Sequence, residues 1–269
     1  DLKIYSDYNL YYLQFSAENQ FGTHREAKFP NKEENYRSRV GMTLNLEPIR
    51  NLNLFFGSEY EHRSHGDYEM RNADTGDLIA NTLPKNSVYE SALFVQGDYI
   101  FQDWRFLLGA RRTVNELAGE KTTPRMSMIY QLSEESSIKL LYAVGFNSPN
   151  AIQQRISLSP VVIGNPDLKP ETARTVDLAY TYSKNNLLFV GNIFQIQTTD
   201  QIMRRVPDSG GALTYRNEDT FTRHGFELDF QKVWTRSKLF FNFAYLHEGN
   251  QDISDDITSV SYTHLRAHE

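Results

Sequence analysis

The chain contains no cysteine. Disulfide staples, thiol nucleophiles and every Cys-based zinc or iron–sulfur site are therefore excluded. No stretch approaches the roughly 18 consecutive apolar residues of a membrane-spanning helix. A basic excess is missing too: 28 Lys+Arg against 34 Asp+Glu leave a formal charge of −6. A nucleic-acid partner, which needs a basic field, is accordingly not expected. No secretory leader is visible, and the first residue is Asp1, so the start reads as non-native. As a soluble protein, 269 residues would suggest one large domain or two small ones. A membrane protein remains open, because a spanning β-barrel shows alternation and no hydropathy peak.

Alternation is what the sequence has in abundance. Tyr36, Ser38, Val40, Met42, Leu44 and Leu46 fall in one phase, and Arg37, Arg39, Gly41, Thr43, Asn45 and Glu47 in the other. Period two over such a length predicts a strand with one apolar and one polar face. The pattern returns in Met126, Met128, Tyr130 and Leu132, in Ile138 to Phe146, in Val176 to Tyr182 and in Phe226 to Phe230. Less regular strands are read at about 5–17, 51–62, 87–101, 104–115, 187–199 and 238–249. Near residue 190 both phases are apolar, and the faces stay unassigned.

The expectation is all-β, with eleven strands and no helix. Globular proteins put roughly a quarter of their residues in strands, usually about 5–6 residues long. Here many run ten or more. At ~3.4 Å per residue and ~45° tilt, ten residues rise about 24 Å, close to the apolar band of an outer-membrane barrel. Tight turns are predicted at 47–51, 101–104, 132–137, 183–187 and 234–238. Long polar loops alternate with them, at about 18–35, 62–87, 114–124, 147–171 and 200–214. An antiparallel meander then carries all short turns on one side and all long loops on the other, as outer-membrane barrels do. Greek-key sandwiches have no reason to keep this asymmetry.

Charge placement agrees. Arg37, Arg39, Lys139 and Arg223 sit in the polar phase, whereas a Lys or Arg facing lipid near midplane would cost ~2–4 kcal/mol. Aromatics gather toward strand ends: Tyr8, Tyr11, Tyr12, Trp104, Tyr142, Phe146, Tyr180, Tyr182, Trp234 and Tyr245. Interfacial girdles and ordinary packing both account for that.

Catalytic patterns are weak. Asp74-Thr75-Gly76 matches the aspartic-protease triplet, but no second copy exists to share a proton, and Asp and Gly make turns. His62 and His65 could hold a metal or haem, yet read more simply as solvated loop histidines. No Gly-x-Ser-x-Gly elbow is present, and Asp252, Asp255 and Asp256 lack the spacing of an EF-hand. No enzyme, no metal site and no cofactor is expected.

Residues 124–248 carry a further pattern. It runs Pro124-Arg125, Gly145-Phe146-Asn147-Ser148-Pro149, then Gly164-Asn165-Pro166-Asp167-Leu168-Lys169-Pro170-Glu171. Thr199-Asp200-Gln201-Ile202, Tyr215-Arg216-Asn217 and His224-Gly225-Phe226-Glu227 follow in order, and Leu107-Leu108-Gly109-Ala110-Arg111 fits upstream. This resembles the barrel of TonB-dependent outer-membrane receptors, with Asn-Pro-x-Leu-x-Pro-Glu the most specific run. One departure is Asn147, where the family more often has Arg. Physically, Pro166 and Pro170 fix φ and remove amide donors, so a loop runs there and Glu171 opens the next strand. Asn165, Pro166, Leu168, Pro170 and Glu171 are thus read as a structural entry to the strand, with direct ligand contact as the alternative.

The resemblance implies an up-and-down transmembrane barrel of 22 strands around a plug. About half is expected here: residues 1–260 as partial barrel without plug, and 261–269 as a non-native tail that resembles a translated sequencing adapter. It also implies a Gram-negative outer membrane with its lipid, the TonB energy-transducing complex acting through the plug, and uptake of a scarce nutrient. A ferric siderophore is the first expectation, with cobalamin, haem or glycans behind it. A passive porin is the alternative. Candidate ligand contacts on the outer loops are His65, Tyr68 and Arg71, which offer hydrogen bonding, stacking and charge. Arg37, Arg39, Glu59 and Arg111 are candidates for lining the lumen and facing the plug.

Overall fold

The computed structural model describes residues 1–10, 25–28 (backbone only), 34–72, 74–207 and 210–249. Residues 11–17 of the first expected strand, Tyr11 and Tyr12, the Asp252 cluster and the 261–269 tail lie outside the described residues. In chain order come β1 (Leu2–Leu10), β2 (Arg25–Lys28), β3 (Tyr36–Ile49), β4 (Leu52–His65), β5 (Tyr68–Asn72) and β6 (Leu78–Leu83). Next are β7 (Asn86–Phe101), β8 (Trp104–Asn115), β9 (Gly119–Ser133), β10 (Ser136–Asn147), helix α1 (Ala151–Arg155), β11 (Ser157–Leu158) and β12 (Val162–Ile163). The last are β13 (Glu171–Lys184), β14 (Leu187–Thr199), β15 (Gln201–Arg205), β16 (Leu213–Glu218), β17 (Phe221–Val233) and β18 (Lys238–Gly249).

Eleven long strands form one antiparallel sheet in the order β1-β3-β4-β7-β8-β9-β10-β13-β14-β17-β18. Each long strand pairs with the next, so the sheet is a meander. Among the described residues it is open, with β1 and β18 as its edges. Both small sheets, β2-β5-β6 and β11-β12-β16-β15, are built from connections at one end of the strands. They and α1 occupy segments expected to be plain loop. The helix is short, five residues, and is held by a capping box between Asn150 and Gln153.

Turn chemistry explains the short connections. Asn51 and Gln102 adopt positive φ at two of them, and Asn185 and Asn186 do so together at a third, the geometry that suits a two-residue hairpin. The expected long loop at 114–124 is corrected: β9 begins at Gly119, so only residues 116–118 separate it from β8. Asn115 Oδ1 accepts the backbone N–H groups of Leu117 and Ala118, and Gly119 takes φ of 73°. A side-chain-braced tight turn therefore stands where polarity alone suggested a loop.

Register gives every strand two faces. Val40 pairs with Tyr60, Leu93 with Ser58 and Leu108 with Met126 on one face; Gly41 with Glu59 and Ala92 with Thr113 on the other. The first face is apolar yet bare, with Leu93 66% and Leu108 61% exposed. Water penalises such a surface, while hydrocarbon does not. The strand near 190 now has assigned faces. Phe189 and Ile193 lie opposite Tyr182 and Leu178 on the apolar face, and Phe194 lies opposite Asp177 on the polar one. Phe194 is tolerated there because its ring covers Gly225, where a Cβ would come 2.9 Å from the ring.

Aromatic rings ring both ends of the apolar face. Trp104 packs on Tyr130 at 4.4 Å and Phe106 at 5.9 Å beside the short turns. Tyr8 stacks on Tyr36, and His62 on Tyr89, at the loop end. Tyr89 and Tyr99 lie ten residues apart along β7, a rise of about 24 Å at ~45° tilt. Aromatic rings thus stand at both borders of the apolar face, in contact with one another.

Candidate functional site

On the polar face, β1, β3, β4 and β8 assemble an ionic network. Glu59 Oε1 accepts from Tyr5 Oη at 2.5 Å, and its Oε2 from Arg111 Nη2 at 2.6 Å. Arg39 pairs with Asp7 at 2.8 Å and lies over the Tyr5 ring. Glu61, 6% exposed, holds Arg37 at 2.5 Å and also Arg63. The four candidates Arg37, Arg39, Glu59 and Arg111 thus lie on one face with Tyr5, Asp7, Glu61 and Arg63. Gly41 makes the Tyr5–Glu59 contact geometrically accessible: a Cβ there would sit 2.5 Å from Tyr5 Cζ. The same device recurs where Phe94 covers Gly57, with Arg111 above the Phe94 ring. Removing one member of a pair such as Glu61–Arg37 leaves a half-buried charge exposed to destabilisation.

At the loop end of the same face lies a cavity of about 450 Å³, lined by Arg63, His65, Tyr68, Asn86, Asn115 and Ser148, with Leu83 and Ile152 supplying apolar walls. The β5–β6 hairpin contributes Tyr68 and Leu83, both buried. Three buried polar atoms around it, His65 Nε2, Asn86 Nδ2 and Ser148 Oγ, have no hydrogen-bond partner among the described residues. His65 Nδ1 lies 3.0 Å from the Gly66 carbonyl, which only accepts, so Nδ1 carries the hydrogen. In the neutral ring Nε2 is then a bare acceptor. Asn86 Oδ1 accepts from Arg155 at 2.6 Å, which fixes its amide nitrogen as a donor. Leaving such groups unpaired costs about 1–3 kcal/mol each, the condition that a ligand with complementary groups relieves.

His65 and Tyr68 therefore meet at one cavity, and Arg71 does not. Its guanidinium pairs with Glu69 at 2.8 Å and donates to the Gly76 carbonyl at 2.9 Å, closing the hairpin. The reading of His62 and His65 as solvated loop histidines is corrected. Both lie in β4, three residues apart, hence on opposite faces: His62 between Tyr36 and Tyr89, His65 at 8% exposure. Opposite faces also prevent a shared metal. Asp74 and Thr75 sit in a turn whose amides are held by Asn72 Oδ1, as turn chemistry predicted for the Asp-Thr-Gly run. Below the hairpin, Asp67 accepts the backbone N–H of Lys85 at 2.9 Å and the amide of Asn81 at 2.6 Å. These two donors, the Lys85 amide first, hold its carboxyl below the usual carboxylate range.

The Asn-Pro run forms a clamp. Asn165 donates to the Tyr215 carbonyl, Asn217 exchanges bonds with the Lys169 backbone, and Asn217 also donates to the Asp200 carbonyl. Glu171 accepts from the Ile202 amide at 2.5 Å and from Asn147 at 3.1 Å. Leu168 is 4% exposed beneath these bonds. Gly164 lets the run approach α1, where a Cβ would meet backbone atoms of Gln154 and Arg155 at 2.6 Å. Three motifs far apart in sequence are thus joined by backbone-directed hydrogen bonds.

Sequence reasoning missed Asn86, Asn115 and Ser148 at the cavity, and Tyr5, Asp7 and Glu61 in the ionic network. Strand-end position was the available signal for Asn86 and Asn115. Nothing local marked Ser148.

An antiparallel meander with one lipid-compatible face, two aromatic borders and loops on one side defines an outer-membrane β-barrel protein. The family model described as TonB dependent receptor-like, beta-barrel matches residues 1–265, and the chain belongs to that family. Its place is the outer membrane of a Gram-negative bacterium. Over 221 residues it is 26% identical to an iron-regulated outer membrane virulence protein of Vibrio cholerae, covering 75% of this chain and 33% of that protein. It therefore spans about a third of the length of that relative. Among solved structures it is similar in fold to the siderophore receptor PirA of Pseudomonas aeruginosa, at TM-score 0.67 and 18% identity over 79% of this chain and 40% of that one. A mutant of the ferric enterobactin receptor PfeA from the same organism, in complex with enterobactin, matches at TM-score 0.66 and 16% identity over 79% and 36%.

Proposed function

We propose that this chain is wall and outer-loop structure of a receptor that takes up a ferric siderophore across the outer membrane with energy delivered by the TonB complex. The observation that carries the reading is the cavity of about 450 Å³ at the loop end, lined by His65, Asn86 and Ser148 from three separate segments, each holding a buried polar atom without a partner among the described residues. In this reading His65, Asn86 and Ser148 contact the ligand, and Tyr68 supplies an aromatic wall. Arg71 acts one step removed, by holding the hairpin that carries Tyr68. Arg37, Arg39, Glu59 and Arg111 present fixed charge toward a plug, and Asn165, Pro166, Leu168, Pro170 and Glu171 hold two loop systems in place. The iron-regulated relatives and the siderophore receptors of like fold support ferric siderophore over cobalamin, haem or glycan.

The test is growth and radiolabelled-iron uptake by the intact receptor, offered ferric siderophores, cobalamin, haem and glycans, with and without TonB. TonB-dependent growth on a ferric siderophore is expected. Uptake that proceeds equally without TonB would overturn the reading in favour of the passive porin.

A further inference from the structure

β17 and β18 carry a histidine pair that neither the cavity nor the ionic network uses. Register sets His224 directly opposite His247, in phase with Phe226, Leu228 and Phe230 on the apolar face. The two rings stand 4.9 Å apart between centroids, inclined at 52°, and both residues are exposed. Nine residues separate each from the short-turn end of its strand, at Val233 and Lys238. At ~3.4 Å per residue and ~45° tilt that is a rise of about 22 Å, the outer edge of an apolar band roughly 25 Å tall. Polar residues take over at this level: Gln195 lies opposite His224 on β14, and Gln197 pairs with Thr222 in the next row. The histidines therefore meet water and its ions, not hydrocarbon.

The surroundings hold the pair in place. Below it on the same face, Phe226 packs on Tyr245 at 5.6 Å and on Phe243 at 5.5 Å. On the other face Arg223 pairs with Glu248 at 2.7 Å, so the neighbouring residues of both strands are braced in the same register. Above it stands Gly249, where a Cβ would come 3.9 Å from His224 Cε1, so the outer side of that ring is left uncovered. Zinc–imidazole bonds of about 2.0–2.1 Å put a ring centroid about 3.2 Å from the ion, so two such rings at a roughly tetrahedral angle are about 5 Å apart. The spacing of His224 and His247 is that of a chelating pair. Imidazole suits zinc, copper and nickel, whereas magnesium and calcium take oxygen ligands.

We propose that His224 and His247 chelate a divalent late first-row transition-metal ion, Zn²⁺ or Cu²⁺, from the outer surface, with water completing its shell beside Gln195. The ion ties β17 to β18 near their outer ends, a cross-link that a chain without cysteine cannot obtain from a disulfide. The site lies on the opposite face of the sheet from the cavity, so the inference stands apart from the uptake reading.

The intact, untagged receptor, held in a neutral detergent that brings no phosphate, is titrated with Zn²⁺ by isothermal calorimetry. His224→Ala/His247→Ala is expected to bind one ion fewer than the native receptor. Each single variant is expected to weaken that site by roughly tenfold or more, because in the native chain the second imidazole acts as an intramolecular ligand. Excess Mg²⁺ is expected not to compete. Should a variant not fold, the native receptor supplies a second measurement: Zn²⁺ is expected to protect His224 and His247 together from diethyl pyrocarbonate, read by peptide mass spectrometry. An unchanged zinc stoichiometry in the double variant, a single variant that binds as tightly as the native chain, competition by Mg²⁺, or modification of either histidine unaffected by Zn²⁺ overturns the proposal.

Discussion

The ionic network on the wall and the cavity at the loop end use similar residue types to opposite ends. In the wall, Asp7, Glu59 and Glu61 each hold two donors, and the strands fix every backbone involved. At the cavity, polar atoms from β4, β7 and the segment before α1 converge without bonding one another. Satisfied groups stiffen the place where they lie, whereas unsatisfied buried groups hold their cost in reserve for an incoming partner. A membrane barrel gains its cohesion from the sheet, so it tolerates that cost at the rim.

Four measurements break or sharpen this contrast. The largest effect is expected at the lipid face: Leu108→Arg, in the lower half of the apolar band, destabilises insertion by ~2–4 kcal/mol. Leu107→Arg, one residue away beside Asp98 on the polar face, is expected to be near neutral. Folding of both variants into vesicles, followed by heat-modifiable gel mobility, compares them directly. Second, Gly41→Val displaces the Tyr5 ring from Glu59 and is expected to cost about 1–3 kcal/mol by overpacking. Urea unfolding in vesicles reads it, and an unchanged midpoint would remove the Gly41–Tyr5 contact from the account.

Third, His65→Phe and Asn86→Leu are each expected to weaken ferric-siderophore binding by roughly tenfold, with stability changing little, since each removes an unpaired buried atom together with one made hydrogen bond, to Gly66 and from Arg155 respectively. Arg71→Ala is expected to act less, through a loosened hairpin. Isothermal titration with the intact receptor ranks the three, and Arg71→Ala as the strongest would return that residue to the ligand. The smallest effect is the pH dependence of the hairpin base. Asp67 has a depressed pKa when folded, so its bonds stabilise fully above the ordinary carboxylate range. That contribution is lost as pH falls through the depressed value. Protection of the Lys85 amide, taken relative to its intrinsic exchange rate at each pH, is expected to fall only below the ordinary carboxylate range, and a fall already near neutral pH would contradict the assignment.

Legibility differed between the two regions for a physical reason. Within a strand, period two reports burial directly, so Arg37 and Arg39 could be placed in a polar phase from their neighbours alone, whereas Glu59 and Arg111, in less regular strands, were candidates that only register puts on the same face. Which of them touch depends on register between strands, and no local pattern encodes that Tyr5 reaches Glu59 across Gly41. The loops failed in the other direction. Polarity at 114–124 looked like a long loop because an Asn side chain can replace the missing backbone partners in a tight turn. His62 and His65 looked like one motif, yet the pleat sent them to opposite environments.

Alternation, strand length, tight turns in the expected places and the Asn-Pro-x-Leu-x-Pro-Glu run were enough, in one dimension, to define a lipid-facing antiparallel sheet and its family. These are local properties, set by the period of the backbone and the chemistry of single turns. The tertiary structure alone decided that Asn217 clamps Lys169 and that His65, Asn86 and Ser148 share a cavity. Each of these joins residues distant in the chain, and only the folded ladder sets the distances between them.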